Sequence, residues 1–465
     1  MKKLTLLCCL SAAAMALTAC PGPQPVPDEK PTDQKLVTRA TPELPTVPAD
    51  VIAASGIEDF DVDGIQVILK KTPGKSVVSA QLFVDGGAAN ITDKNAGIEE
   101  LALSVATTGG TKNTPRDQFN ARLNAMGSSI GASSNRDYSV ISMFSIRPFF
   151  EDTWGLFAEV VSQPAFDEKQ FDLVKERTVQ AIAAENDDPD DAMGNTAADL
   201  FFDGHPYKIH TSGTLESVKP MTRQDIITFY QGLLTRERLT LVVVGDVDRA
   251  AIEAGIKAGL GNLPTGTFKR PDLDRLSPGK ADLAIDEREL PTNYMLGYFT
   301  APSPFDPDYY PMLVATNVLS DRLFEEIRTR RNLTYAVSAG LGSRPYNYGY
   351  LYITTVKPNE AIPVMYAEID RLAKTPLDAE QMNEQVQLFL TEHFMRQETN
   401  AAQASTLGRY ELTGGGWEQS LVFIDRIQAV TPEQVQAAAN GYFKNIHWGF
   451  VGKAASLDKS VVLAR

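Results

Sequence analysis

Histidine and cysteine are both scarce in this chain, which has four of the first and three of the second. The histidines, His205, His210, His393 and His447, are scattered along the sequence. Only His205 and His210 are close enough to suggest a metal pair. They share a Pro-Tyr loop with no third ligand nearby, whereas a catalytic zinc needs about three protein ligands plus a water. A structural role in that loop is the expectation for them. Cys8 and Cys9 lie in an amino-terminal apolar run, and if that run is removed as a signal, Cys20 remains alone and no disulfide can form. Cationic charge is short as well: 44 Lys and Arg face 59 Asp and Glu, for a formal net charge of -15. Such a balance argues against a nucleic-acid partner and against electrostatic adhesion to anionic lipid. The apolar run itself, Leu4 to Leu17, falls short of the roughly 20 residues needed to cross a bilayer.

What the amino terminus does contain is Met1-Lys2-Lys3, the apolar run, and then Leu17-Thr18-Ala19-Cys20. A cationic start, a short apolar segment and a small-residue ending read as a signal peptide over residues 1–19. The Leu-Thr-Ala-Cys ending resembles the bacterial lipobox, which implies cleavage before Cys20 and a diacylglycerol on its sulfur. Losing Lys2 and Lys3 takes the formal charge from -15 to -17. Residues 20–50 carry eight prolines among polar residues and no apolar period, and read as a semi-rigid tether. In polyproline II geometry, at roughly 3.1 Å per residue, it reaches on the order of 90 Å. Pro21 after Cys20, where an aspartate would retain the protein at the inner membrane, resembles outer-membrane sorting in Gram-negative bacteria. The expected location is thus the cell envelope, at the periplasmic face of the outer membrane.

The remaining length suits two large domains, and the sequence repeats itself accordingly. Thr222-Arg223-Gln224-Asp225 leads to Leu239-Thr240-Leu241-Val242-Val243-Val244-Gly245, and Thr431-Pro432-Glu433-Gln434 leads to His447-Trp448-Gly449-Phe450-Val451-Gly452. Each has a Thr cap with an acid or amide three residues on, a helix, and a strand ending in Val-Gly. The offsets, 209 between the threonines and 207 between the glycines, point to one duplicated unit. Domains at 51–263 and 283–465 follow, joined by a linker at 264–282 that contains Pro264, Pro271 and Pro278. Within the first unit, Ile65 to Leu69 and Val77 to Val84 around Thr72-Pro73-Gly74-Lys75 read as a hairpin. Thr114-Pro115-Arg116-Asp117 reads as a capping box opening a helix to about Met126. A strand is expected at Tyr138 to Ile146, with helices near Phe149 to Val161 and Phe171 to Ala184. The fold class is α+β, two related domains, each a mixed and largely antiparallel sheet layered with helices.

Gly97-Ile98-Glu99-Glu100-Leu101-Ala102-Leu103-Ser104, ending in Gly109-Gly110-Thr111, is a glycine-framed helix. With the Gly-Ile-x-Val hairpin at Gly64 to Val67, His205-Pro206-Tyr207 before Gly213, the Val-Val-Val-Gly-Asp strand, and Arg322-Leu323-Phe324 through Leu333-Thr334-Tyr335, it resembles the insulinase/pitrilysin family of zinc peptidases over nearly everything after the tether. The resemblance implies half of a clam-shell chamber that closes around peptides. It also implies where the family's His-x-x-Glu-His would fall: the histidines on Glu100 and Ser104, the glutamate base on Leu103. Leu103 cannot take a proton and Ser104 is a poor zinc ligand. The further zinc-binding glutamate falls on Gln180 or Ala183, with Glu176 and Glu185 only flanking. No metal or cofactor is therefore expected on this chain, and zinc is expected only in a partner. By the same resemblance an arginine and a tyrosine seven residues apart bind the substrate carbonyl region; here they are Arg328 and Tyr335, with Arg330 the alternative in register. Asn317 to Arg322 reads as a short connection where relatives have a glycine-bearing loop.

The resemblance to motif-lacking members implies a non-catalytic subunit, inactive alone, of a heterodimeric zinc-dependent periplasmic peptidase. Its partners would be a zinc-bearing relative with His-x-x-Glu-His, a peptide substrate, and a membrane through the lipid anchor. The rival expectation is a stand-alone peptide-binding or scaffold lipoprotein of the envelope. The anchor is directly testable: Cys20→Ser should release the protein from the membrane fraction or block its maturation. A Cys20→Ser protein that is processed yet stays membrane-bound in high salt would show a second anchor.

Overall fold

The computed structural model describes residues 44–465. The signal peptide, Cys20 and most of the tether lie outside these residues. Within them are two sheets. The first has the order β1-β2-β6-β3-β5-β4, from β1 (Ile57–Val62), β2 (Ile65–Lys71), β3 (Val77–Asp85), β4 (Ser129–Ser134), β5 (Tyr138–Ile146) and β6 (Leu239–Gly245). The second has the order β7-β11-β8-β10-β9, from β7 (Asp282–Glu287), β8 (Asn293–Thr300), β9 (Val337–Leu341), β10 (Tyr348–Thr355) and β11 (His447–Gly452). One pair in each sheet is parallel, β2 with β6 and β7 with β11, and every other pairing is antiparallel. Apart from the extra β1 the two strand orders are the same, so the fold is α+β with a repeated unit.

The repeat corrects one sequence expectation. β2 and β3 are not a hairpin, because β6 lies between them, with Val67 opposite Leu241 on one side and Leu82 opposite Leu241 on the other. The turn at Thr72–Lys75 exists, but its strands pair with a segment some 170 residues away. The true hairpin is β1–β2, closed at Asp63-Gly64, both at positive φ. Two other readings also change. Pro115, not Thr114, precedes the helix Arg116–Ala125 without a side-chain cap, and Thr114 instead donates to Glu159. Asn317 to Arg322 is not a connection but lies inside the helix Tyr309–Leu323.

Each sheet is covered partly by the other half's helix. β6 is buried along its whole length. Leu241 and Val243 face the core of their own half, while Val242 and Val244 pack against Ala404 and Leu407 of the helix Asn400–Thr413, which comes from the second half. Gln81 Nε2 donates to Ala401 O at 3.0 Å, Ser405 Oγ to Gln81 Oε1 at 3.0 Å, and Gln66 Nε2 to Glu411 Oε1 at 2.9 Å. Reciprocally, the helix Pro189–Phe201 of the first half lies on the second sheet, with Ala192, Met193 and Ala197 against Leu296 and Val451. The linker is docked rather than free: Phe268 stacks under Arg238, Leu273 N donates to Tyr346 Oη at 2.7 Å, and Arg275 pairs with Asp306 at 2.8 Å. Leu44 to Asp50, read from sequence as tether, also join the body: Val47 is buried, and Ala49 begins a helix. No helix among the described residues is long and apolar enough to cross a membrane.

Gly449 tests the exchange. A Cβ there would sit 2.6 Å from the Ala197 amide nitrogen, which is backbone and cannot swing aside. Gly449→Ala should destabilise by about 1–3 kcal/mol, read as a lowered urea midpoint. Gly194→Ala, on the helix that carries Ala197 but with open space at its Cβ, should be neutral or up to about 1 kcal/mol stabilising. Equal midpoints for the two variants would show that the contact does not hold the halves together.

Candidate functional site

Gly97 caps the helix Ile98–Thr108 at φ 86°, and a Cβ there would lie 2.7 Å from Ser212 O, so both conformation and space select glycine. The helix then buries Leu101, Ala102, Leu103, Val105 and Ala106 in the first core. At the positions of a zinc motif the chemistry is that of a packed helix. Leu103 is 0% exposed. Glu100 accepts from Ser134 N at 2.8 Å and from Ser104 Oγ at 3.4 Å, and its burial raises its pKa. Gln180 Nε2 donates to Glu176 Oε1 at 3.2 Å on the later helix Glu168–Asp187. Among the described residues no group of three or more His, Cys, Asp or Glu is placed to hold a metal. The residues here do not fit zinc.

The histidines serve separate local structures. His205 Nδ1 accepts from Tyr207 N at 3.1 Å, His393 stacks on Phe423, and His447 bridges to Asn445 O and Pro278 O. His210 approaches Asp199 at 3.4 Å on the surface.

Arg328 and Tyr335 do come together. Phe324–Arg330 winds as a π-helix, a widening found often at functional sites. Asn332 at φ 52° then turns the chain back, so that the Arg328 guanidinium lies 4.9 Å from the centre of the Tyr335 ring. The backbone around Tyr335 is pinned, with Thr355 Oγ1 donating to Leu333 O at 2.7 Å and Ala336 N donating to Thr334 Oγ1 at 3.0 Å. The Tyr335 side chain is nevertheless 83% exposed. Arg330, the register alternative, is held by Glu325 at 3.0 Å and Glu326 at 2.9 Å, and Arg331 also pairs with Glu326.

Two charged features escaped the sequence reading. Glu99, one residue before the motif position, is the carboxylate that is buried; it accepts from Ser139 Oγ, and its Oε2 has no partner among the described residues. Its place one turn before Ala102 and Leu103, on the apolar arc, was the available signal. Asp137, 4% exposed, accepts from Arg344 at 2.8 Å and from the Tyr207 hydroxyl. It joins residues far apart in sequence, which no local pattern announces.

A duplicated α+β scaffold with a glycine-framed helix stripped of its ligand set defines a degenerate metallopeptidase class, and the comparisons agree. Residues 66–215 match the family model for insulinase (peptidase family M16), and residues 220–389 match that for the peptidase M16 inactive domain. A Mycobacterium leprae protein described as an uncharacterized zinc protease is 25% identical over 391 residues, 81% of this chain and 87% of that protein. Mitochondrial-processing peptidase subunit beta of Dictyostelium discoideum is 21% identical over 412 residues, 83% of this chain and 85% of its own length. The crystal structure of a peptidase M16 inactive domain from Pseudomonas fluorescens has a TM-score of 0.78 at 18% identity, covering 86% of this chain and 98% of that one. The chain belongs to the insulinase family, peptidase family M16, as a member without the metal-binding motif.

Burial raises the Glu99 pKa, and the neighbouring Ser139 hydroxyl and Arg238 only partly offset it. A carboxyl whose folded pKa is raised destabilises the fold once pH exceeds its unfolded value, near 4.3. Stability is therefore greatest below that pH and falls as pH rises through the folded pKa. Glu99→Gln removes this loss, so it should raise Tm at pH 8, with the difference shrinking towards nothing near pH 4. A Tm difference that does not change between pH 4 and pH 8 would show that ionisation of Glu99 plays no part.

Proposed function

We propose that this chain is the non-catalytic subunit of a heterodimeric, zinc-dependent peptidase of the cell envelope, lipid-anchored through Cys20 and completing the peptide chamber of a zinc-bearing relative. The observation that carries the reading is the contrast between its two sites. The motif helix has an aliphatic Leu103 where a base is needed, yet Arg328 and Tyr335 stand together on a fixed backbone with the phenol open to solvent. A guanidinium and a phenol are suitable donors to an oxygen that gains negative charge. With no such chemistry available on its own helix, the pair is free to serve a substrate carbonyl held by another chain. Exposed Phe324 beside this pair in sequence, and exposed Phe394 and Met395, give the second half apolar surface to place against a partner. The Dictyostelium relative is itself named as a subunit, which supports a multi-chain setting for this fold.

In this reading Arg328 and Tyr335 are catalytic residues in trans: they hydrogen-bond the substrate carbonyl oxygen as it becomes an oxyanion. Removing one such donor costs about 10²- to 10³-fold in rate. Tyr335→Phe, which deletes only the hydroxyl, should lower kcat of the complex by that order while heterodimer formation and the partner's zinc content stay unchanged. Arg328→Ala should in addition weaken peptide binding. The complex is to be isolated from native membranes with this chain as bait, where a stoichiometric relative bearing His-x-x-Glu-His is expected. Recovery of unrelated envelope proteins alone would favour the scaffold lipoprotein, and unchanged turnover in both variants would remove the shared-site mechanism.

A further inference from the structure

Between the two sheets lies a cavity of about 500 Å³, bounded by the start of β5, by β8, by the β9–β10 loop and by the helix Asn400–Thr413. It is therefore built by the exchanged helix and both halves at once. Its volume is in the range of small-ligand pockets, enough for the end of a peptide rather than a folded chain. Tyr298, Tyr348 and Tyr350 line its wall.

The charge inside is unbalanced. Three charged side chains line the cavity, Asp137, Arg344 and Arg409. Both oxygens of Asp137 are already used, Oδ2 by Arg344 at 2.8 Å and Oδ1 by the Tyr207 hydroxyl. That leaves Arg409 in excess. Its Nη1 donates to Ser343 Oγ at 2.8 Å and its guanidinium lies 4.7 Å from the centre of the Tyr410 ring, but among the described residues no carboxylate pairs with it. A guanidinium carries five N–H donors in a fixed fork that matches a carboxylate. In a chain of net charge -15, a half-buried arginine without a carboxylate partner stands out in this cavity. It is separate from Arg328 and Tyr335: Tyr335 precedes β9 and Ser343 follows it, so that the five-residue strand Val337–Leu341, roughly 15 Å long, lies between them.

We propose that this cavity binds a peptide carboxylate, with Arg409 as its donor, Ser343 orienting the guanidinium and the tyrosine wall covering the adjoining residue. The proposal rests on the peptide-chamber reading above. Two sources share this chemistry, the carboxyl terminus of a peptide and an acidic side chain. The test uses the purified full-length chain and three fluorescein-labelled hexapeptides of Ala and Leu: the free acid, its carboxyl-terminal amide, and the same amide with Glu as the last residue. The free acid should bind about 10-fold or more tightly than the plain amide, the scale of a charge-assisted hydrogen bond. Arg409→Met should abolish that preference, and Arg409→Lys, which keeps the charge without the fork, should retain part of it. Tight binding of the Glu amide but not of the free acid assigns the side chain as the source, tight binding of the free acid alone assigns the terminus, and tight binding of both shows that either carboxylate serves. Equal binding of all three peptides by the unmutated chain overturns the proposal without needing any variant, as does an undiminished preference in a folded Arg409→Met protein. If none of the three peptides binds, the cavity proposal falls, whereas the zinc-partner reading is judged separately by what the chain recovers from membranes.

Discussion

The exchange of one helix between the two halves is the constraint on which the rest of the structure depends. β6 and β11 are buried throughout, which requires cover on both faces. In each half only one face is covered from within. The other face of β6 receives Ala404 and Leu407 from the second half, and β11 receives Ala197 from the first. Each fully buried aliphatic side chain contributes roughly 1.5–3 kcal/mol, so either half alone would expose a row of such residues. The halves are thus domains by topology and one body by energetics. The docked linker fits this picture, since Arg270 reaches Asp85 and the Asp137 carbonyl while Arg275 reaches Asp306. A strap that touches both halves adds little flexibility, and the cavity between the sheets keeps walls from both.

The same economy explains the motif helix. Its frame survives because Gly97 faces the Ser212 carbonyl and the helix body fills the first core. Those are folding requirements, independent of any chemistry. Once ligands are not needed, a leucine at the base position is the more stable choice, because it adds apolar burial where a carboxylate would have to be desolvated. Glu100 and Ser104 then satisfy each other and the Ser134 amide, converting a ligand site into an ordinary capped and packed surface. Glu99 is the residue that does not fit this account. Its unpartnered, buried Oε2 is a cost the helix retains, and the structure gives no compensating contact beyond Ser139 and the nearby Arg238.

Much of the fold was legible locally, and little of its long-range pairing was. β5 begins at Tyr138 and ends at Ile146, as its alternation indicates, and the boxes at Thr222 with Asp225 and Thr431 with Gln434 form as written. The duplication was legible because the capped helix and the Val-Gly strand recur together. The false hairpin shows the limit: Thr72–Lys75 carries sound turn chemistry, but a turn says nothing about whether a distant strand inserts. Likewise the unbroken run Leu241 to Val244 announces burial on both faces without saying that the cover comes from residues 400–413. Thr114 had the composition of a cap, and lost that role to a tertiary partner, Glu159.

Arg328 and Tyr335 illustrate what sequence spacing can and cannot carry. Seven residues in a regular α-helix would place two side chains on one face, two turns apart. Here the chain widens into a π-helix, reverses at Asn332 and enters β9, and the pair meets by reversal instead. The spacing was therefore informative for a reason other than helical periodicity. Choice of register follows from electrostatics in the same segment. Glu325 and Glu326 engage Arg330 and Arg331, and each such contact lowers the positive potential those arginines could offer to a substrate. Arg328 faces an aromatic ring in place of a carboxylate. A ring's quadrupole holds a guanidinium in position while leaving its in-plane N–H donors available, which a salt bridge would deny and which the role proposed for Arg328 would require.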